Sequence, residues 1–323
     1  MKHDSLKSDD SVIQWLLDSD PAIRWQVMRD LTDAPKREVA AERARVATEG
    51  MGAQLLALQG ADGSWGGEAW NQGWDSTMHA LTLLREFGLD PAGKAARAAV
   101  GRVRENVRWR GWDMDGAWHG LEFVGNPFFA GEVEPCINGQ VAASAAYFGQ
   151  EVPRILGLLL AGQLPDGGWN CEAQNGSTRS SFHTTICVLE ALLELEQAGR
   201  GGAAVRQARL RGQEYLLARG LMRRLSTGEL VEPEWMQFSF PNWWHYDVLR
   251  GLEFMRLAGA APKAQLEEAI ALVESKRGSD GRWLLEFQHP GKMPVRVDEG
   301  EGRPSRWVTL RALRVLRWAR GAT

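Results

Sequence analysis

Apolar positions recur at helical spacing through most of the chain, and strand-like alternation is almost absent. The pattern predicts helices over 52–59, 75–87, 94–107, 136–148, 152–163, 181–197, 203–219, 244–257, 264–276 and 305–319. Before them come helical patterns over 12–31, broken at Pro21, and over 37–47. A glycine follows every second helix: Gly88, Gly149, Gly199, Gly259 and Gly321. Such a glycine supplies the left-handed residue that ends a helix.

The helices alternate in character. Those holding 80–84, 141–146, 186–193 and 248–252 are apolar over most of their circumference, so they are expected to be buried on all sides. Their partners are more polar. The linking loops repeat a phrase: Gln59-Gly-Ala-Asp-Gly-Ser-Trp65, Gln163-Leu-Pro-Asp-Gly-Gly-Trp169 and Arg277-Gly-Ser-Asp-Gly-Arg-Trp283. Asp-Gly suits a tight turn, Trp suits packing on the turn, and Gln can bond open backbone groups at helix ends. Trp118 and Trp235 mark two units in which the phrase is eroded. Five helix–loop–helix units over 49–323, with 1–48 supplying a further pair, form a repeat that either extends or closes into a ring. A double ring with the apolar helices inside is the simplest way to bury them, so the reading is one all-α domain over 1–323, an α/α toroid of about five to six helix hairpins.

The Gln-x-x-x-Gly-x-Trp phrase resembles the QW-type repeat of squalene and terpenoid cyclases. The same toroid is used by protein prenyltransferase β-subunits and lanthipeptide cyclases. The resemblance runs from about residue 50 to the end, and it implies the fold more than the reaction. It implies an enzyme, similar to the squalene cyclases and prenyltransferases, acting on a hydrophobic substrate of isoprenoid type inside the ring.

Composition narrows the partners. The net charge is -3, so no global field attracts nucleic acid. Three cysteines without tight spacing argue against a disulfide scaffold and for free thiols or metal ligands. No signal-peptide core and no membrane-length apolar run is found, which points to a cytoplasmic protein; the small hydrophobic substrate is what the resemblance implies. Oligomeric state is not specified by the sequence. The 15 Trp against 3 Tyr are expected mostly in core and turns. Trp70, Trp74, Trp118, Trp243, Trp244 and Trp307 are expected to line the ring's cavity, where aromatic faces would stabilise a carbocation.

In a ring of hairpins the starts of the inner helices converge on one mouth. Those starts supply the candidate chemistry. Cys136, Cys171, His183 and His245 form a candidate Zn²⁺ site, with Asp247 able to substitute for one ligand. The prenyltransferases, which hold Asp and Cys at one inner start and His at a later one, look similar, and the segment from His245 to Leu252 resembles their His-bearing helix. Cys136-Ile-Asn-Gly139 resembles the Cys-His-Gly element of lanthipeptide cyclases loosely. Asp75 and His79, four apart, form a candidate acid–base pair, with Glu134 and Glu132 beside them. The catalytic candidates are therefore Asp75, His79, Glu134, His183, His245 and Asp247. The substrate-binding candidates are Trp74, Trp118, Arg179, Trp244, Tyr246, Arg303 and Trp307. Arg179, Lys276, Arg277, Arg303 and Arg306 form a cationic set able to hold a diphosphate or carboxylate. Asp113-Met-Asp115-Gly116 lacks the final Asp of the Asp-x-Asp-Asp acid of squalene cyclases and reads as a turn. Two other readings compete: a zinc-dependent hydrolase or thiol-transfer enzyme on the same ring, and a non-catalytic ligand-binding toroid.

Overall fold

In a computed structural model, residues 2–110, 113–114, 117–118, 121–262 and 264–321 are described. The helices are α1 (Lys2–Leu17), α2 (Pro21–Asp30), α3 (Lys36–Ala44), α4 (Gly50–Ala57), α5 (Thr77–Glu86), α6 (Lys94–Asn106), α7 (Pro135–Tyr147), α8 (Pro153–Ala161), α9 (Phe182–Gln197), α10 (Gly202–Leu217), α11 (Val248–Leu257), α12 (Glu267–Ser275) and α13 (Arg306–Ala319). Two two-residue strands, Asp113–Met114 and Ala117–Trp118, form an antiparallel pair. The chain is all-α in architecture, and no described helix is long and apolar enough to cross a membrane.

The helices close into an α/α toroid. α5 packs on α7, α7 on α9, α9 on α11, α11 on α13, and α13 on α2. α2 completes the ring against the end of α5: Trp25 Nε1 donates to Phe87 O (2.8 Å) and Gln26 Nε2 to Glu86 O (3.0 Å). α1, α3, α4, α6, α8, α10 and α12 stand outside these six, with α3 packed on α2. The small residues of α7 have a purpose here. A Cβ on Gly139 would lie 2.7 Å from the Cys187 carbonyl oxygen of α9, so the two helices touch backbone to backbone.

The repeated phrase does the same work three times. Trp65, Trp169 and Trp283 are buried, and each Nε1 donates 2.7 Å to the carbonyl ten residues earlier: Leu55, Leu159 and Val273. Each Trp amide donates to a threonine Oγ1 on the following inner helix: Thr77 (3.1 Å), Thr185 (3.0 Å) and Thr309 (3.0 Å). Gln59 Nε2 binds Gly63 O and Ala99 O, and Gln163 Nε2 binds Gly167 O and Ala208 O, so the glutamine ties its turn to the next outer helix. The turn glycines Gly63, Gly167 and Gly281 are left-handed, with φ of 82°, 99° and 79°.

The inner helices all point the same way, so their ends gather at one mouth. There the axis is crossed by ion pairs, not by an apolar channel. Arg250 forks onto Glu190 (2.7 and 2.8 Å), Arg85 bridges Glu86, Glu190 and Glu194, and Arg311 binds Glu86 (2.8 Å). Arg314 joins Asp30 of α2 to Glu253 of α11. Burial alone would raise the Asp30 pKa, but the hydrogen bond from Arg29 and the charge of Arg314 bring it down to about 2. Positive side chains at helix ends also offset the partial negative charge of the carbonyls there. The aromatic channel expected through the ring is therefore confined to the opposite mouth. Trp307 belongs to the ion-pair end: it is buried between Phe87 and Phe240 (ring centroids 5.7 and 4.4 Å).

Candidate functional site

The mouth at the inner-helix starts holds a cavity of about 510 Å³. Trp70, Trp74, Ile137, Trp244 and Pro290 give it an apolar wall, and Glu134, Cys136, Cys171, His183 and His245 face it as well.

Local structure explains the thiols. Pro135 opens α7, which places Cys136 in its first turn. Asn138 fixes the approach: its Oδ1 accepts from Glu132 N (2.9 Å) and its Nδ2 donates to Glu132 O (3.0 Å). Cys171 starts a 3-10 turn capped by Asn170, whose Oδ1 accepts from Glu172 N. Thr184 of α9 holds Cys171 at two points, accepting from its amide (3.3 Å) and donating to its sulfur (3.4 Å). The two sulfurs lie 2.8 Å apart, and Cys136 Sγ is 3.6 Å from Glu134 Oε2. The neighbouring Cys171 thiol, then burial, push the Cys136 thiol well above its ordinary range. Cys187 is wholly buried in the core.

Glu134, Cys136 and Cys171 are the one set of three among the described residues whose donor atoms lie within 4.8 Å of one another. His183 and His245 are not in it. His183 Nδ1 accepts from Tyr246 N (2.8 Å). The proton of its neutral ring is thus on Nε2, which makes that nitrogen a donor and not a ligand. His245 is outside α11. The helix starts later because Asp247 caps it, accepting from Arg250 N (2.7 Å). His245 instead lies stacked between Trp244 (3.7 Å) and His289 (3.6 Å).

Other candidates are redirected in the same way. Asp247 is buried and its second oxygen accepts from Ser239 N, Ser239 Oγ and Asn242 Nδ2, so both its oxygens are engaged within the fold, away from the thiols. Asp75 precedes α5 and binds Asn71 (2.9 Å) and Lys292 (3.2 Å). His79 is fully buried, with Nδ1 on Ser76 Oγ (2.8 Å), and burial drops its pKa to about 3. The pair expected from their spacing is not made. Tyr246 is buried, with its hydroxyl donating to Leu221 O (2.7 Å). Arg179 and Arg303 are exposed, Lys276 pairs with Glu286, and Arg306 lies over Trp15, so the cations do not converge. Trp243 is buried, stacked on Trp74 (5.2 Å). The side chains of Trp118 and Asp113, and all of Asp115 and Gly116, fall outside the described residues.

Two features escaped the sequence, as did the buried state of the candidate Glu132. His289 and Pro290 come from the connection between α12 and α13 and fold over the mouth, where Trp74 Nε1 donates to Pro290 O (2.8 Å). A second cavity of about 380 Å³ adjoins the first and shares His183, His245 and Pro290 with it. Glu132 is wholly buried, with Oε1 accepting from Glu134 N (2.6 Å), and burial lifts its pKa to about 9. The folded chain keeps that proton up to about 9, whereas the unfolded glutamic acid loses it near the ordinary 4.5, so this group makes stability fall as pH rises between those values. Glu132→Gln keeps the acceptor and stays neutral. It is expected to raise stability above pH 7 by about 1–3 kcal/mol and to flatten this fall, as read by thermal melts across that range.

No family model matches the chain, and no curated protein matches it. Among solved structures, a protein from Actinoplanes is 18% identical over 98% of this chain and 99% of that one, at a TM-score of 0.45. Type II terpene cyclase MstE from Scytonema is 17% identical over 98% and 97%, also at 0.45. A substituted form of that cyclase, in complex with geranylgeranyl dihydroxybenzoate, is 17% identical over 98% and 96%, at 0.44.

Proposed function

We propose that the chain is a toroid enzyme that works on a small, largely apolar substrate at the mouth, assisted by Zn²⁺ held by Cys136, Cys171 and Glu134. The observation that carries this reading is the clustering of two thiols and a carboxylate within 4.8 Å, in the wall of a cavity otherwise built from tryptophan. The donor set suits zinc, which takes thiolate at about 2.3 Å and carboxylate at about 2.0–2.2 Å, and a catalytic site leaves one position open. Tetrahedral ligation needs the sulfurs to part by roughly 1 Å from their 2.8 Å, and Cys171 stands on a half-buried turn that can yield. When bound, the ion supplies Lewis acidity at that open position.

The chain's own groups do the rest. Trp70, Trp74 and Trp244 exclude water and offer π faces, which favours an isoprenoid-type hydrocarbon. His183 presents its Nε2 proton as a fixed donor. Burial brings the His183 pKa down to about 4, so it is neutral at pH 7.

Elemental analysis of untagged protein, purified without chelator, tests the reading. About one zinc per chain is expected, lost in Cys136→Ala and Cys171→Ala and kept in His245→Ala. Metal-free wild type, or zinc retained by Cys171→Ala, would overturn it. A farnesyl analogue is expected to bind saturably at the mouth.

A further inference from the structure

The second cavity differs from the first in its chemistry. Its wall is aromatic, with Trp235, Tyr246 and Phe287, and its rim carries the carboxylates of Glu232 and Glu234. Both glutamates are exposed, and no described cation pairs with either. The imidazoles of the wall add no positive charge at neutral pH. Burial brings His183 to about 4, His245 to about 3 and His289 to about 4. The positive group behind them, Arg250, is matched by the fork of Glu190, and the start of α11 is already capped by the Asp247 carboxylate. The lobe is therefore electron-rich: two full negative charges at its edge, and aromatic faces and neutral rings within. An organic cation is the ligand such a lobe attracts, because it meets both the carboxylates and the ring quadrupoles, whereas an anion is repelled by the two carboxylates and finds no cation to offset them.

The two cavities share His183, His245 and Pro290, so one molecule can occupy both. We propose that the second lobe takes an ammonium group of the substrate, whose apolar part lies among Trp70, Trp74 and Trp244 in the first. This deepens the reading of the mouth as the substrate site, on which it rests, but it does not depend on the metal. It names the substrate class as an amphiphile with a cationic end, held so that its apolar end reaches Cys136 and Cys171.

Isothermal titration of the full chain with octyltrimethylammonium, octan-1-ol and octyl sulfate tests it. The chain length is constant, and only the head changes. The ammonium probe is expected to bind about tenfold tighter than the alcohol, with the sulfate weaker than both. In the Glu232→Gln, Glu234→Gln double variant the ammonium affinity should fall most of the way to that of the alcohol, whose own binding stays unchanged, the remainder being the contribution of the aromatic wall. These two side chains are exposed, so the variant is expected to fold normally. A Cys136→Ser, Cys171→Ser protein should lose zinc and keep the ammonium preference, which separates failure of the metal reading from failure of this one. Equal or tighter binding of sulfate or alcohol by wild type would overturn the proposal. So would an ammonium preference undiminished in the double glutamine variant. Absence of saturable binding by all three probes would overturn it together with the mouth as substrate site.

Discussion

Arg250→Ala is expected to cost about 3–5 kcal/mol of stability, lowering the melting temperature by roughly 5–15 °C. Arg250 is buried and makes a two-point fork with Glu190. Its remaining nitrogen donates to the carbonyls of Trp243 (2.9 Å) and His245 (2.6 Å). Truncation leaves Glu190 facing the ion-pair chamber with only the more distant Arg85 (3.8 Å) and leaves two carbonyls without their donor. It also frees the turn that carries His245 and Trp244 into the mouth, so ligand affinity should fall along with stability. Arg250→Met with Glu190→Met removes both charges and should recover much of the loss in stability, because the penalty lies in the unpaired partner. Calorimetry on the two variants separates these effects. A drop of less than about 1 kcal/mol for Arg250→Ala would show that the fork contributes little.

Trp169→Ala is expected to be comparably damaging, at about 3–5 kcal/mol. The side chain is wholly buried, and its loss opens a void between the outer helix α8 and the start of α9. The Leu159 carbonyl would also lose its donor. Trp169→Phe retains most of the apolar area but not the N–H, and should cost about 1–3 kcal/mol. Urea unfolding of the two variants apportions the packing and the hydrogen bond. Because Trp65 and Trp283 make the same bond, the ratio between the alanine and phenylalanine variants should repeat at all three positions. A ratio peculiar to Trp169 would mean that the repeat is one of sequence only.

That repeat is why the ring was legible. Helical spacing, the glycine after each inner helix and the Asp-Gly-x-Trp turns are local signals, and each acts within a dozen residues of itself. The predicted helices match the observed ones to within a few residues, with two exceptions: α1 begins at Lys2, well before the pattern expected from 12, and the first turn of 244–257 is displaced by the Asp247 cap. Gly88, Gly149, Gly199, Gly259 and Gly321 are all left-handed. The site was half legible. Cys136 and Cys171 meet because inner starts converge, and topology suffices for that. Glu134 joins them as its neighbour, two positions before Cys136. The histidine roles were not legible, since they hang on single hydrogen bonds: Tyr246 N on His183, Ser76 on His79. His289 and Pro290 were invisible because they lie in a connection without helical pattern, and nothing in their spacing says that it folds back over Trp74.

The seam between α13 and α2 has a consequence for how the chain folds. Arg314 meets Gln26 across 288 positions, and Trp74 meets Pro290 across 216. Hairpins such as α8–α9 join near neighbours and can form as soon as they are synthesised. The seam and the strap over the mouth cannot, because they must close loops of most of the chain, and loop closure precedes any reward from the contacts made. An open arc of hairpins is therefore the expected late intermediate, with the apolar flank of α2 exposed until α13 docks. Chaperone demand and aggregation during refolding should concentrate on that one flank, and the binding mouth should be the last part of the molecule to become competent.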